Sequence, residues 1–437
     1  MNFAATVGVI IFLVMVAMVL FGIPIFVSML SCSIVGFYIL GGMKMVLAQM
    51  QAPFTLGANY TYAVLPLFMM VGTLAGITGI AEGAFNALHK WLGRVRGGLL
   101  YTVVLANAAF GACSGISVAG NVVFGKIAMP ELERYGYDRR LSLGTITGAG
   151  VLSSLIPPSV PIIMWCMITG ASVGTTLMYG LSLGIVMIVL LCLCIFIYTL
   201  VRPEKVPSTK DMPKVRFMEK IVALKDLIPI VLVFVLIIGG TMNGWFSATV
   251  AGAVASVVLL IYALLKKTPL KEIWNCVWDG AVMNAGMFPI IVAGSIFSRF
   301  VTLTRLADTV ADLIASVNLP AFFIFALVVV FYLFCGCVMD IPSTIIITVP
   351  IVYPLLTASL GYSGFVVTVL LVMMCDIAGM TPPIGMNVFA VSNALRIKPM
   401  EIFSGCVIFF VVDLVAVLLM GLFPQIVEFI PHLMGMA

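Results

Sequence analysis

Charge is scarce in this sequence. Of its 437 residues only 9% are Asp, Glu, Lys or Arg, whereas 63% are hydrophobic. A soluble domain carries about 25% charged residues, and no soluble fold of this length could bury so much apolar surface. The composition therefore excludes a soluble enzyme or a soluble binding module, and it indicates that lipid surrounds most of the chain.

Residues for several kinds of chemistry are also missing. No GxxxxGK[ST] pattern occurs, so we expect no ATP hydrolysis by this chain. The two histidines, His89 and His432, lie outside the apolar segments, which leaves an intramembrane enzyme without a nucleophile and base or a metal cluster. The ten cysteines form no CxxC pair and fall mostly within apolar runs, where they pack as small hydrophobic residues. We therefore predict no enzyme activity, no cofactor and no disulfide.

Several apolar runs are long enough to cross a bilayer, which takes about 20 residues of helix. Residues 6–29 and 181–200 are clear examples. These runs are continuous rather than alternating at every second residue, which favours helices over a transmembrane barrel. No basic residue precedes the first run and no cleavage site follows it, so we expect a retained first helix. The predicted fold class is an all-α polytopic membrane protein.

Basic residues are concentrated in three segments, which predicts that these segments face the cytoplasm. They are Lys90 with Arg94 and Arg96, residues 202–225, and Lys266 with Lys267 and Lys271. On a chain this apolar, orientation in the membrane explains them better than nucleic-acid binding does. Residues 202–226 also contain three prolines among mixed charges. We predict that they form a cytoplasmic linker between a first repeat, 1–201, and a second repeat, 227–437.

The two halves repeat one another in sequence. Five landmarks recur in the same order at distances of 223 to 225 residues. They are Pro66, Phe110, Pro130, Gly136-Tyr137 and Pro157-Pro158, which recur as Pro289, Phe334, Pro354, Gly361-Tyr362 and Pro382-Pro383. Such agreement indicates a structural duplication, which is typical of secondary transporters that bind substrate and ions between their repeats. The spacing leaves open whether the second copy is inverted.

Each half has two places where an apolar helix cannot be regular. One is a stretch of small residues, 111–125 or 335–350, and the other is the double proline. Two prolines remove two backbone donors and keep the preceding residue out of the helical region, so we predict helix breaks at 155–159 and 380–384. The freed carbonyls must line a polar cavity or be buried in protein. With nearby hydroxyls they suit Na⁺, while half-helix N-termini favour an anion. Proline kinks that serve packing alone are the other explanation.

Charged side chains inside apolar segments are informative, because each costs about 3 kcal/mol or more at the bilayer centre. Asp340, Asp376 and Asp413 are of this kind. Asp340 directly follows the second small-residue stretch, and we predict either cation coordination or a structural hydrogen bond for it. Arg299 and Arg305 lie near the end of an apolar run, where one could bind a substrate carboxylate or extend to the membrane surface.

These segments resemble the large, M-type membrane subunit of the tripartite ATP-independent periplasmic (TRAP) transporters. Residues 111–165, which begin GACSGISVAGN and include SLIPPSVP, are similar to that family's first hairpin, connecting loop and broken helix. GCVMD at 336–340 and GMTPPIGMNVF at 379–389 are similar to the C-terminal counterparts. The resemblance covers essentially the whole chain. It implies two inverted repeats with helical hairpins and discontinuous helices, and an elevator-type transporter in the bacterial inner membrane.

The resemblance also implies Na⁺-coupled import of a small organic anion, with Na⁺ as the coupling ion. The expected partners are a small membrane subunit (Q type) and a periplasmic substrate-binding protein (P type), both separate chains because neither is fused to this one. The family's cation sites correspond to Ser114, Gly115, Ser117, Gly336, Cys337, Asp340, Thr381 and Pro382. Candidate substrate contacts are Asn121, Ser159, Arg299 and Asn387. The chain departs from the family at Gly120, where many members have an acidic or hydroxyl residue.

Two other functions remain open from sequence. A stand-alone symporter of the same superfamily would need no binding protein, and a channel would show steady conductance rather than saturable coupled uptake. The anion itself, whether a carboxylate, a sugar acid or a sulfonate, is not identified by the sequence.

Overall fold

The computed structural model describes residues 3–207, 215–316 and 320–435, and the regular secondary structure in these ranges is helical throughout. The predicted all-α fold class is therefore confirmed. Eleven α-helices precede the linker. They are α1 (Phe3–Leu20), α2 (Ile25–Gln49), α3 (Ala52–Gly57), α4 (Val64–Ile77), α5 (Ile80–Leu92), α6 (Gly98–Ser114), α7 (Ser117–Arg134), α8 (Arg139–Ala149), α9 (Val151–Leu155), α10 (Val160–Thr169) and α11 (Val173–Val201).

The described residues of the linker and the second half contain twelve more α-helices. They are α12 (Phe217–Ala223), α13 (Ile228–Phe234), α14 (Gly240–Met242), α15 (Ala248–Leu265), α16 (Leu270–Thr304), α17 (Leu306–Ser316), α18 (Ala321–Val338), α19 (Ile341–Pro354), α20 (Gly364–Ala378), α21 (Met386–Leu395), α22 (Pro399–Leu422) and α23 (Gln425–Leu433). Two π-helical turns, Val235–Gly239 and Leu355–Ser359, continue α13 and α19.

Ten helical segments in the described ranges are long and apolar enough to cross a membrane. An eleventh is added if Arg139–Leu155 and Val160–Thr169, which meet at a bend of 42°, are counted as one span. Large apolar side chains remain exposed on the outside of these helices, among them Leu13, Val189 and Phe323, as expected where lipid is the solvent. The chain is therefore a multi-pass membrane protein.

The helices repeat at the spacing of the sequence landmarks. The starts of α6, α7, α8, α10 and α11 recur 223 to 226 residues later as the starts of α18, α19, α20, α21 and α22. This agreement supports the predicted duplication. The boundaries at 201 and 227 and the inverted orientation remain predictions, and residues 208–214 of the predicted linker lie outside the described residues.

The linker packs against the surface helix α5. The indole Nε1 of Trp91 donates to the carbonyl of Lys220 at 3.0 Å, and the Lys220 ammonium lies 5.7 Å from the centre of the Trp91 ring. Arg96 donates to the carbonyl of Pro203 at 3.4 Å. Two of the three basic segments therefore lie together at one surface of the protein, as expected if both face the same compartment.

Helix α20 lies at the centre of the protein, since every residue from 366 to 378 is buried. Beside it, α8 and α22 approach each other closely through glycines. A Cβ added to Gly144 would collide with the carbonyl of Gly405, and one added to Gly148 would lie 2.7 Å from Cβ of Phe409. Small residues allow this close helix packing inside a membrane. The first broken span comprises α8–α10 and the second comprises α20 and α21. Both therefore include a helix that packs closely in the interior of the protein.

Candidate functional site

The first helical hairpin ends directly against the first double proline. Helices α6 and α7 are joined at Gly115 and Ile116, and Gly115 has a positive φ of +64°. The carbonyl of Gly115 accepts a hydrogen bond from the backbone N–H of Val160 at 3.2 Å. A Cβ at position 115 would collide with the carbonyl of Pro158. Only glycine fits here, because both the backbone conformation and the close approach exclude a side chain.

The first break occupies residues 156–159, within the predicted range of 155–159. Ile156 and Ser159 have extended backbone conformations, and the Pro157-Pro158 peptide bond is cis. Ser159 caps α10, since its hydroxyl accepts from the N–H of Ile162 at 3.2 Å and donates to the carbonyl of Ser154. For the carbonyl of Leu155 the structure records no donor among the described residues. The break is buried throughout.

The second hairpin makes the equivalent contact with the second double proline. Helices α18 and α19 are joined at Met339 and Asp340. The Cys337 sulfur lies 2.8 Å from Oγ1 of Thr381, and a Cβ on Gly336 would collide with the side chain of Ala378. Each hairpin tip therefore packs on the break of its own half, so the predicted cation-site residues form two groups.

The second break spans residues 379–385 and differs from the first in exposure. Thr381 turns back to donate to the carbonyl of Ala378 at 2.7 Å, and the Pro382-Pro383 bond is cis. Gly385 has a φ of +45°, and a Cβ there would lie 2.8 Å from the carbonyl oxygen of Thr381. Pro382 and Pro383 are exposed, and Ile384 is 47% exposed. The second break is therefore open to the surroundings of the chain, whereas the first is covered.

Asp376 lies between the two breaks and is fully buried. One carboxylate oxygen, Oδ2, accepts a hydrogen bond from the hydroxyl of Ser154. The backbone carbonyl of Asp376 accepts from Nδ2 of Asn387 at 3.2 Å. The side chains of Ser117 and Asn387 both lie beside the carboxyl group. Asp376 thus contacts elements of both halves, including two residues predicted to bind ion or substrate.

Four buried oxygen atoms of this region have no hydrogen-bond partner among the described residues. They are Oγ of Ser114, Oγ of Ser117, Oδ1 of Asp376 and Oδ1 of Asn387. Buried polar atoms are nearly always paired, so each such atom calls for an explanation. Hydroxyl, amide and carboxylate oxygens are hard ligands of the kind that alkali and alkaline-earth cations prefer. Within the described ranges no three His, Cys, Asp or Glu side chains come together as a metal cluster, so this region offers mainly neutral oxygens.

The remaining predicted residues occupy varied positions. With its amide nitrogen turned toward the backbone, Asn121 donates to the carbonyls of Ile146 at 2.9 Å and of Thr147 at 3.3 Å. Arg299 is exposed on α16 and donates to Oε1 of Gln49 at 3.4 Å. Asn121 is therefore engaged with the backbone, and the recorded partner of Arg299 is on α2. Their roles as substrate contacts remain predictions, as does that of Ser159.

Asp340 precedes α19, where its side chain makes no capping hydrogen bond. Its backbone carbonyl accepts from the N–H of Thr344 at 2.9 Å and from the Thr344 hydroxyl at 3.0 Å. The side chain is half-buried at the tip of the second hairpin. This placement is compatible with the predicted cation coordination and shows no structural hydrogen bond of the carboxylate among the described residues.

Asp376 is not among the ion- or substrate-binding residues that the sequence predicts. The available signal was a carboxylate six residues ahead of the second double proline. The sequence favours Asp340 for cation coordination, because Asp340 directly follows the second small-residue stretch. What distinguishes Asp376 is its contact with Ser154, 222 residues away, and no local pattern predicts such a contact.

Comparisons with known proteins give matches that extend over most of the chain. Residues 12–426 match the family described as Tripartite ATP-independent periplasmic transporter, DctM component. The chain is 27% identical to the C4-dicarboxylate TRAP transporter large permease protein DctM of Pseudomonas aeruginosa, over 88% of this chain and 89% of that protein. It is 26% identical to the ectoine TRAP transporter large permease protein TeaC of Halomonas elongata, over 96% and 97%. Among solved structures it is similar to the Alcanivorax borkumensis YdaH transporter, with a TM-score of 0.58 and 15% identity over 88% of this chain and 89% of that one, a likeness of fold alone.

Proposed function

Because the chain belongs to the DctM-component family of the tripartite ATP-independent periplasmic transporters, we propose that it is the large membrane subunit of an Na⁺-driven importer of small organic anions in a bacterial inner membrane. The observation that carries this proposal is the set of buried, unpartnered oxygens beside the two hairpin tips and helix breaks. We propose transport and no catalytic role for the chain.

Na⁺ coupling is supported by the ligands at each tip. The first tip brings the Ser114 hydroxyl and the Gly115 backbone onto the first break, and the second brings Gly336 and Cys337 onto Thr381. Each group places a hydroxyl beside the backbone of a helix break, and hydroxyl and carbonyl oxygens together can replace the water shell of Na⁺. One charge crossing about 100 mV gains about 2.3 kcal/mol, enough for roughly fiftyfold accumulation of a substrate.

A small carboxylate is the substrate class that we propose. The names of the two relatives cite C4-dicarboxylates and ectoine, which are small molecules bearing carboxylate groups. The N-terminus of α21 follows the exposed second break and has no side-chain cap, whereas Ser159 caps the buried N-terminus of α10. Partial positive charge at a helix N-terminus attracts anions. We propose that the substrate carboxylate approaches at the second break, near Asn387.

An elevator mechanism is supported by how the two breaks are joined. The hydrogen bond between Ser154 and Asp376 connects the first broken span to the second, and both hairpins pack on this unit. A unit held together in this way can move as one body relative to the other membrane helices, carrying the ions and the substrate across. Movement as one body is the simplest way to keep two dispersed ion sites intact during transport.

The proposed partners are a small membrane subunit of the Q type and a periplasmic substrate-binding protein of the P type. The rival is a stand-alone symporter of the same superfamily, which would need neither partner. The tripartite transporter requires a binding protein for uptake and the stand-alone symporter does not. An uptake experiment with and without binding proteins can therefore distinguish them.

Uptake into proteoliposomes tests the proposal. The chain is reconstituted with a candidate Q-type small subunit, an inward Na⁺ gradient is imposed, and candidate binding proteins with labelled carboxylates are added one at a time. We expect saturable accumulation that requires both Na⁺ and one binding protein. Accumulation without any binding protein would favour the stand-alone symporter, and accumulation that is indifferent to Na⁺ would contradict the proposed coupling.

A further inference from the structure

We infer that the C-terminal end of α5, the turn after it and the short helix α12 form a binding surface for the headgroups of anionic phospholipids. This α5–α12 surface consists of residues 90–96 and 216–222. Its basic segments are predicted to face the cytoplasm, so the lipids are those of the cytoplasmic leaflet. The inference is independent of the proposed function, because it involves neither the transported substrate nor the coupling ion.

Helix α12 lies at the depth of the lipid headgroups. It begins the candidate membrane span Phe217–Met242, whose 26 residues correspond to about 39 Å of helix. Because the hydrocarbon core of a bilayer is about 30 Å thick, about 9 Å of this span extends beyond the core. All the charged residues of the span lie among its first ten, namely Glu219, Lys220, Lys225 and Asp226. The end that extends into the headgroup layer is therefore α12.

The outer face of α12 is apolar. Phe217 and Met218 are 69% and 70% exposed, and Ile221 and Val222 are exposed as well. Glu219 follows Phe217 by two residues, which places it about 200° away around the helix, so the acidic side chain does not share the face of Phe217. A helix with an apolar face beside basic residues is the kind that lies in the membrane interface. The apolar face of α12 therefore fits among lipid chains just below the headgroups.

Trp91 holds α12 against α5. Its Nε1 donates to the carbonyl of Lys220 at 3.0 Å, and its ring meets the ring of Phe217 edge to face, with the ring centres 6.3 Å apart. The ammonium of Lys220 lies 5.7 Å from the centre of the Trp91 ring. Tryptophan is enriched where membrane and water meet, because its ring is apolar and its N–H is polar. These contacts bring the basic side chains of two helices, from the two ends of a long sequence interval, to one place.

The basic side chains of the α5–α12 surface take part in no ion pair recorded among the described residues. They are Lys90, Arg94, Arg96, Arg216 and Lys220. Asp226 lies toward the other end of α5, since its Cβ would be 3.2 Å from a Cβ on Gly83. Unpaired basic side chains at headgroup depth attract anionic lipids. The charge of the surface and its apolar face are thus both complementary to an anionic phospholipid.

A lipid bound here contacts both halves of the chain. Helix α5 leads directly into α6, the first helix of the first hairpin, whereas α12 begins the first membrane span after the linker. One anionic headgroup that binds Arg94 and Lys220 draws these two segments together. The surface therefore gives the cytoplasmic leaflet a direct contact with the junction between the two repeats.

The test titrates two phospholipids onto the purified full-length chain and measures their binding by native mass spectrometry. Phosphatidylglycerol is anionic and phosphatidylcholine is zwitterionic, so with identical acyl chains their difference in affinity reports the effect of headgroup charge. One basic residue near an anionic surface contributes about 1 kcal/mol, or about fivefold in affinity. We therefore expect phosphatidylglycerol to bind at least about tenfold more tightly than phosphatidylcholine, and equal affinities would overturn the inference.

Charge-removing variants locate the binding. Arg94→Gln combined with Lys220→Gln should lower the affinity for phosphatidylglycerol about 25-fold, fivefold for each residue, and leave that for phosphatidylcholine unchanged. The matched control combines Lys44→Gln with Lys398→Gln, because both lysines are exposed, lie outside the α5–α12 surface and have no ion pair recorded among the described residues. The control should bind both lipids as the unmodified protein does.

The result that overturns the inference is an unchanged preference for phosphatidylglycerol in the Arg94 and Lys220 variant, or an equal loss in the control. If that double variant does not yield folded protein, Arg94→Gln alone decides, because its side chain is exposed. A loss of about fivefold in affinity for phosphatidylglycerol would support the surface, and an unchanged affinity would reject it.

Discussion

The hydroxyl of Ser154 donates a hydrogen bond to the carboxylate of Asp376, joining positions 222 residues apart in the sequence. Ser154 lies two residues before the first helix break, and Asp376 lies three residues before the second. Both residues are fully buried, so the bond links the two discontinuous spans in the interior of the protein. Their connection supports the view that both breaks belong to one moving unit.

Loss of this bond should destabilise the protein. Ser154→Ala removes the recorded donor to Oδ2 of Asp376, and leaving a buried acceptor unsatisfied costs about 1–3 kcal/mol. We expect a lower unfolding midpoint in nanodiscs. Ser404→Ala is the control, because its exposed hydroxyl donates only to the nearby carbonyl of Glu401 and surface substitutions usually change stability by less than about 0.5 kcal/mol. Equal midpoints for the two variants would argue against a structural role of the Ser154 bond.

The hydroxyls at the two tips should matter for Na⁺. Ser114→Ala removes a buried, unpartnered oxygen, and Thr381→Ala removes the hydroxyl that faces Cys337. We expect each to lower transport and to raise the Na⁺ concentration for half-maximal uptake by about tenfold or more, while the protein still inserts in the membrane. Thr302→Ala, an exposed hydroxyl on α16, should leave both unchanged. If Na⁺ dependence is unaltered in both tip variants, the assignment of the tip sites is wrong.

The contact between the first hairpin and the first break can be tested with two glycines. Gly115 and Gly136 both have positive φ, +64° and +78°, so alanine strains the backbone similarly at either position, by about 1–2 kcal/mol. A Cβ at 115 also collides with the Pro158 carbonyl, whereas a Cβ at 136 has open space. Gly115→Ala should therefore lower the unfolding midpoint and the Na⁺ affinity more than Gly136→Ala does. Matching effects would show that the tip does not depend on this close approach.

Acid should weaken the packing of the surface helix α5. His89 stacks on Phe85, and its ring lies 6.0 Å from that of Tyr135 in a tilted arrangement. Its Nδ1 has no partner among the described residues, and burial lowers its pKa from the ordinary 6.5, with Glu131 opposing this shift. The folded protein thus binds fewer protons here than the unfolded chain, so the stabilisation is present above about pH 6.5 and is lost as pH falls through the lowered pKa. His89→Phe keeps the stacking and should reduce the fall in unfolding midpoint between pH 7.5 and 5.5. An identical fall in both proteins would assign the pH dependence to other groups.

The sequence predicted the parts of this fold that depend on local chemistry. The double prolines predicted breaks at 155–159 and 380–384, and the structure has them at 156–159 and 379–385, because proline cannot donate and restricts its predecessor. The small-residue stretches predicted irregular backbone, and both contain hairpin tips. Predicting these features required only the residue types within each segment and their positions.

Contacts between distant segments could not be predicted from local sequence patterns. Arg299 was a candidate for the substrate carboxylate, yet its recorded partner is Gln49, 250 residues away. Asn121 is another predicted substrate contact, and its amide faces backbone carbonyls of α8. Both roles stay predictions. The neighbours of Asp376 come from three other helices, so its local sequence does not predict them. Which polar groups meet depends on helix packing, and helix packing is not encoded in the spacing of any one segment.

Equilibrium binding of radioactive Na⁺ to the purified full-length chain in nanodiscs tests the central claim most directly. The account predicts saturable binding that excess K⁺ does not displace, with a lower number of bound ions in Ser114→Ala and in Thr381→Ala than in the unmodified protein. Absence of saturable binding, or binding that neither substitution reduces, would contradict the claim that the oxygens at the hairpin tips and helix breaks hold the coupling ions.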